Sequence, residues 1–234
     1  MKKKTVIHII FLNFIITSFS HAQNYIGVHA GYSAATLLDY SLNDDYSANY
    51  TIKSGVGLSV FYEGVYEENV SNYRVELQYQ YQEAGMEVDN DIGGDSFYKD
   101  MDFSFHQLNL NLSYLFPLIK KSKIGMSLLV GATISVNMNT RSKGNGVDYV
   151  IVPIGPSFQK YWEKDERNSK DLTKLNCGVN LGLEFLFPMN DRLDFLVQNK
   201  YYLSAMSAVK MSRVVYTPIL TGQLNLGLRY RLGE

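Results

Sequence analysis

The chain has 234 residues, a formal net charge of −1, one cysteine and four histidines. The single cysteine, Cys177, excludes an intramolecular disulfide and a cysteine-built metal cluster. The near-neutral charge leaves no basic stripe for phosphates, so we predict no nucleic-acid partner. Eighteen tyrosines and twelve phenylalanines make the chain rich in residues that favour strands.

The first 22 residues have the pattern of an export signal. A basic start at residues 2–4 precedes a mostly apolar run at residues 6–19, and small residues stand at Ser20 and Ala22. The apolar run is short for a membrane anchor. We therefore predict a cleaved signal peptide at residues 1–22 and one domain at residues 23–234. After removal of the three lysines of the signal peptide, 19 basic and 23 acidic residues remain, so residues 23–234 have a net charge of −4.

Segments that alternate apolar and polar residues recur along the rest of the chain. In the clearest of them, residues 73–82, one face carries tyrosine, valine and leucine and the other carries arginine, glutamate and glutamine. Successive side chains of a strand point to opposite faces, so this alternation predicts amphipathic strands. The predicted strands are residues 24–35, 54–62, 73–82, 103–116, 124–136, 175–185, 192–203 and 223–232.

The connections between these strands alternate between long and short. Residues 36–53, 83–102, 137–171 and 204–218 are long, and residues 63–72, 117–123 and 188–191 are short. Outer-membrane barrels have long outer loops and short periplasmic turns in this order. Most segments also have the nine or so residues that a tilted strand needs to cross a bilayer. The sequence therefore predicts an all-β fold, an eight-stranded antiparallel up-and-down transmembrane β-barrel.

The alternative is a soluble, secreted β-sandwich or lipocalin-like barrel. A soluble barrel that binds a ligand needs an apolar interior and a polar exterior. Here the second face of each strand consists mainly of glycine, serine, asparagine and glutamine. These small polar residues fit a narrow wet lumen, with the apolar face on lipid, and they favour the membrane barrel.

Several short segments of the chain match the pattern of a known family. They are the Ala22-Gln23 junction, the glycine-spaced residues 27–31, residues 73–79, residues 108–114 with Pro117, and residues 226–232. On these segments the chain resembles the PorT-like outer-membrane β-barrel proteins of Bacteroidetes-type bacteria, over essentially all of residues 23–234. It departs from the commonest outer-membrane ending, because Gly233 and Glu234 stand where a terminal aromatic is usual. The resemblance implies an eight-stranded barrel in the outer membrane, and most members of the family have no assigned activity.

Charged residues fall on the predicted inward face. Unpaired charges are costly inside a narrow barrel, so we expect these side chains to pair across strands as a polar network in the lumen. An interior of eight strands is just wide enough for side chains to fill. The members of this network are Arg74, Glu76, Glu184, Lys200, Arg229 and Arg231.

No motif for chemistry stands out from the pattern of strands. His29 falls on the inward face, and Ser33, Ser59 or Ser127 could be invoked beside it, but no spacing supports a Ser/His/acid site. Cys177 falls on the apolar face and is interpreted as a small hydrophobe. We predict no catalytic residue, no cofactor and no metal site.

The longest connection, residues 137–171, is the expected recognition surface. It holds the only tryptophan, Trp162, beside Tyr161 and several charges, a composition typical of recognition surfaces. Apolar residues 150–154 suggest that part of the loop extends the neighbouring strands; a disordered loop without a partner is the alternative.

Three functions remain open. The first is a non-enzymatic barrel with a structural, adhesive or secretion-accessory role, in contact with outer-membrane lipid, the barrel assembly machinery and an unknown protein at its outer loops. The second is a narrow pore for small solutes, and the third, less favoured, is a lipid-modifying enzyme.

Overall fold

A computed structural model describes residues 24–38, 47–67, 71–92, 95–121, 124–150, 158–167, 172–206 and 218–233. The predicted signal peptide lies outside these ranges. Within them, no helix has the length and hydropathy needed to cross a membrane. The fold consists of strands: β1 Asn24–Leu37, β2 Ser47–Thr51, β3 Lys53–Glu67, β4 Ser71–Ile92, β5 Asp95–Lys121, β6 Ile124–Val150, β7 Phe158–Arg167, β8 Leu175–Pro188, β9 Leu193–Ser204 and β10 Ile219–Leu232.

Eight of these strands form a closed antiparallel barrel. Around the barrel the order is β4, β3, β1, β10, β9, β8, β6 and β5, and pairing between β4 and β5 closes the ring. The N-terminal strand pairs with the C-terminal strand from Asn24–Leu232 to Leu37–Ile219. Closure satisfies the backbone hydrogen bonds of every barrel strand and leaves no sheet edge. The predicted eight-stranded barrel is confirmed.

The two ends of the barrel differ. Short connections join β3 to β4, β5 to β6 and β8 to β9, and we call this the turn end. At the other end, which we call the extended end, β4, β5 and β6 continue past the barrel. There β2 pairs with β4, and β7 pairs with β6 from Arg141–Arg167 to Val150–Phe158. The result is a projecting sheet in the order β2, β4, β5, β6 and β7.

The projecting sheet corrects the prediction of long loops at three places. Within the expected loop 36–53, residues 47–51 form β2, which pairs with β4. Residues 83–102 were expected to connect two strands as a loop, but they form a paired hairpin of β4 and β5 up to the Ile92–Asp95 pair. Residues 137–150 continue β6, and residues 158–167 form β7. In residues 83–102 and 137–150, polar side chains interrupt the apolar face. A strand above the membrane requires such polar side chains, and the same interruption made these segments resemble loops.

The barrel strands present one apolar and one polar face, as predicted. In β1 the large exposed side chains are Ile26, Val28 and Tyr32, and His29 and Ser33 are buried in the lumen. Cys177 is exposed on the apolar face. Aromatic rings mark both margins of this face: Tyr62 contacts Tyr73, and Phe187 contacts Phe195, near the turn end. Toward the extended end, the rings of Tyr79 and Tyr81 each contact the ring of His106.

Candidate functional site

A network of buried ions fills the lumen toward the turn end, and Glu63 lies at its centre. Its two oxygens accept hydrogen bonds from different arginines, Oε2 from Arg74 Nη2 at 2.6 Å and Oε1 from Arg229 Nη1 at 2.9 Å. Arg74 also donates to Glu184 through both terminal nitrogens, from Nη2 to Oε1 at 2.8 Å. Because Arg74 lies on β4 and Glu184 on β8, this pair crosses the lumen.

The same arginines rest on aromatic rings. Arg229 donates to Asp194 Oδ2 from Nη2 at 2.7 Å and from Nε at 3.0 Å, and its guanidinium lies 4.0 Å from the centre of the Tyr25 ring. The guanidinium of Arg74 lies 4.1 Å from the Phe61 ring centre. Gly27 makes room for this ring, since a Cβ there would lie 2.2 Å from Phe61 Cζ. Carboxylates and ring faces thus replace the water that two buried guanidinium groups lose.

A second ion pair crosses the middle of the lumen. Lys200 on β9 donates to Glu76 on β4 at 2.9 Å, and these strands lie on opposite sides of the barrel. Asn111 donates to the same Glu76 oxygen at 3.0 Å, and His29 Nε2 lies 3.5 Å from the other oxygen. With both partners present, the buried carboxylate and ammonium compensate each other's lost hydration.

The lumen brings together a serine, a histidine and a carboxylate in the contact order of a Ser/His/acid site. The three residues are Ser59, His29 and Glu76, and their burial keeps substrate away from them. The Ser59 hydroxyl lies 2.8 Å from His29 Nδ1 and 3.0 Å from Nε2. The exposed fraction is 2% for Ser59 and 1% for His29 and for Glu76. Nucleophilic catalysis needs a reacting atom near the hydroxyl, and the surrounding lumen is filled. The arrangement satisfies buried polar groups.

Above this pair lies a layer of amides that also spans the lumen. Gln223 on β10 donates to Gln80 on β4 at 3.0 Å and accepts from Gln78 at 3.2 Å. Gln80 accepts a further hydrogen bond from Asn109 at 3.0 Å. Amides both donate and accept, so these side chains can supply hydrogen bonds to one another across the lumen.

At the extended end the inward face becomes apolar, which the sequence analysis did not predict. A buried cluster closes the mouth of the barrel, and Tyr50 of β2 and Trp162 of β7 pack against it. Gly144 leaves space for Met101, since a Cβ there would lie 2.5 Å from its sulfur. The cluster consists of Ala35, Leu37, Ala84, Met86, Met101, Phe103, Phe105, Leu172, Tyr202 and Ile219.

The opposite face of the projecting sheet is charged. Arg141 donates to both oxygens of Asp165, at 2.7 and 2.5 Å, and these hydrogen bonds lower the pKa of the Asp165 carboxyl. Lys53 lies 3.0 Å from Asp102, and their hydrogen bond raises the pKa of the Lys53 ammonium. Exposed alternating charges are typical of a surface in water, so this face lies beyond the lipid.

The structure separates the two residues of the expected recognition surface. Tyr161 is 74% exposed on the charged side of β7, whereas Trp162 is half-buried on the apolar cluster. The expectation that Trp162 lies in an exposed loop is therefore wrong: strand alternation turns neighbouring side chains to opposite faces. Tyr161 and the charges beside it remain on the accessible surface.

Of the predicted lumen residues, all but Arg231 form ion pairs, either in the network toward the turn end or in the Lys200–Glu76 pair. Arg231 lies half-buried at the turn end, 5.7 Å from the Tyr25 ring centre, with no ion pair to any residue in the described ranges. Two acids of the network, Glu63 and Asp194, were not predicted. Glu63 follows Ser59 and Phe61 at a spacing of two residues, so it shares their inward face. This spacing could have identified Glu63, but the residue lies where the apolar alternation ends.

Because Trp162 packs on the apolar cluster and Tyr161 is exposed, replacing each of them by alanine should have unequal effects on stability. Trp162→Ala should lower the free energy of unfolding by about 1–2 kcal/mol, a fraction of the cost of removing a fully buried aromatic. Tyr161→Ala should change it by less than about 0.5 kcal/mol, as at most surface sites. Urea unfolding in lipid vesicles, followed by circular dichroism, measures both. Equal effects would contradict the packing of Trp162 on the cluster.

These features define a membrane β-barrel with a filled lumen. Residues 21–208 match the model of the outer membrane protein beta-barrel domain. The chain therefore belongs to this family, and it is an outer-membrane protein.

Solved structures of other barrels are similar in fold. OprG from Pseudomonas aeruginosa is 13% identical with a TM-score of 0.46, and the match covers 92% of this chain and 99% of that one. Neisserial surface protein A is 14% identical with a TM-score of 0.43, covering 91% and 100%. Ail, the attachment invasion locus protein of Yersinia pestis, is 12% identical with a TM-score of 0.39, covering 88% and 99%. Among curated proteins, none is similar in sequence.

Proposed function

We propose that this protein is a non-enzymatic and non-conducting outer-membrane barrel that presents its projecting sheet outside the cell, in a structural, adhesive or secretion-accessory role. The observation that carries the proposal is the closed lumen. Ion pairs cross it at Arg74–Glu184 and Lys200–Glu76, amides cross it above them, and the apolar cluster covers the extended end.

Because the lumen is filled, we expect the functional residues to lie on the outer surface of the protein. Solute passage would require the separation of buried ions, which costs several kcal/mol when a partner is lost. The projecting sheet offers an exposed charged face with Tyr161 at its edge, and functional residues often stand on elements held by a rigid scaffold. An unknown protein partner on this face fits its mixture of aromatic and charged side chains.

The remaining parts of the proposal concern export and family. We propose that residues 1–22 are a cleaved signal peptide, that the assembly machinery inserts the barrel, and that outer-membrane lipid surrounds its apolar face. The PorT-like motifs support membership of that narrower group: residues 73–79 lie within β4, residues 108–114 within β5 and residues 226–232 within β10.

The second candidate is a narrow pore for small solutes, which the polar lining of the middle of the lumen favours. Planar bilayer recording separates the two. The purified barrel, inserted at neutral pH in 1 M salt at about 100 mV, should show no discrete conductance steps, with a general porin as the positive control. Reproducible steps that scale with the amount of folded barrel would establish the pore and end the proposal of a closed scaffold.

A further inference from the structure

One polar side chain interrupts the lipid-facing surface. Between the two aromatic rows, the outward side chains in the described part of the barrel are aliphatic or aromatic, with a thiol at Cys177. The exception is Asn199, which is exposed and is the seventh of the twelve residues of β9. Its place midway along the strand puts the amide in the hydrocarbon region, away from both interfaces.

The surroundings of Asn199 are apolar on both sides. It pairs with Leu183 on β8 and with Leu224 on β10, and both side chains share its outward face. Tyr201, 55% exposed, follows it on the same face. The Tyr201 ring lies over Gly222, where a Cβ would be 3.3 Å from it. Leucines and one ring thus frame an amide that contacts lipid.

An amide in hydrocarbon lacks the hydrogen bonds that water would give it. Polar groups within membrane segments are rare for this reason and usually mark a functional contact. A lipid chain supplies neither donor nor acceptor at this depth. The partner that satisfies Asn199 must therefore be another polar group in the membrane interior, which protein supplies.

We propose that Asn199 marks a contact between two copies of this barrel within the membrane. An amide is self-complementary, because its NH₂ group donates and its oxygen accepts. Across a twofold axis through this point, the two Asn199 side chains exchange a pair of hydrogen bonds. Leu183, Leu224 and Tyr201 of each copy then pack around them as an isologous interface.

The projecting sheet leaves this side of the barrel open. Its strands rise from β4, β5 and β6, and β9 is opposite β4 in the ring. In the described ranges, β8, β9, β10 and β1 end near the barrel rim, at Leu175, Ser204, Ile219 and Leu37. Two copies can therefore approach through β9 without placing their projecting sheets between them.

Photobleaching in dilute vesicles of dioleoylphosphatidylcholine tests the proposal. The full barrel, with Cys177→Ala and a dye on Glu163→Cys in β7, should show two bleaching steps per occupied spot. Asn199→Leu should show mostly single steps, because the loss of two membrane hydrogen bonds predicts about a tenfold rise in the dimer dissociation constant. Asn199→Gln retains the amide, and Val197→Leu alters the neighbouring outward position; both should keep two steps.

Folding of each variant is checked by its heat-dependent mobility on a gel, and Asn199→Leu is not expected to impair it because leucine suits a lipid-facing position. Single steps in the parent barrel, or an unchanged two-step fraction in Asn199→Leu, would overturn the proposed dimer. Loss of two steps in Val197→Leu as well would also overturn the role of the amide.

Discussion

Replacing Glu63 by alanine is expected to lower the free energy of unfolding by about 3–5 kcal/mol, the cost of removing one member of a buried ion network. The carboxylate is 0% exposed and joins Arg74 to Arg229. Its loss leaves two buried guanidinium groups with one partner fewer each. Urea unfolding in lipid vesicles, followed by circular dichroism, measures the change.

Two further variants define what this experiment tests. Glu63→Gln keeps the volume and one acceptor but removes the charge, so its effect should lie between those of the parent and Glu63→Ala. Glu163→Ala removes an exposed carboxylate from β7 and should change the free energy by less than about 0.5 kcal/mol. If Glu63→Ala were as mild as Glu163→Ala, the buried network would not hold the turn end together.

The second large effect concerns the lipid face. Leu181→Arg should cost about 2–4 kcal/mol, because it places a charge in the hydrocarbon region. Leu181 is 53% exposed and lies between Val130 and Tyr201 on the neighbouring strands. The same vesicle unfolding assay, with folded fractions read from unboiled gel samples, gives the change in free energy.

Leu181→Met is the matched control, since it keeps an apolar side chain of similar volume and should cost less than about 1.5 kcal/mol. A tolerated arginine at this position would mean that the surface around Leu181 faces water. The register that places Leu181 outward and Asn180 inward would then be wrong.

The barrel was predictable from the sequence because its main signal is local. Period-two alternation assigns Leu181 and Asn180 to opposite faces without knowledge of any neighbour. The alternating lengths of the connections then supply the up-and-down order. Both inferences rest on residues close in sequence, and the pairing of β1 with β10 follows from closure.

The partners inside the lumen could not be predicted in the same way. Arg74 meets Glu184 across 110 positions of sequence, and that meeting depends on the stagger of all the strands between them. Local reasoning was also weak where the apolar face ends. Glu63 and Asp194 lie at strand ends near the turn end, and Trp162 lies on a strand above the lipid, so an alternation search for lipid-facing residues missed their roles.

Thiol accessibility in the lumen tests the central claim most directly. In a Cys177→Ala background, Ser113→Cys and Ser135→Cys place small thiols on buried inward positions of β5 and β6. A charged, water-soluble thiosulfonate should label neither in the folded barrel and both after unfolding in urea, while Glu163→Cys on β7 reacts in the folded state. Rapid labelling of the two lumen positions in the folded barrel would show a water-filled channel and contradict the closed scaffold.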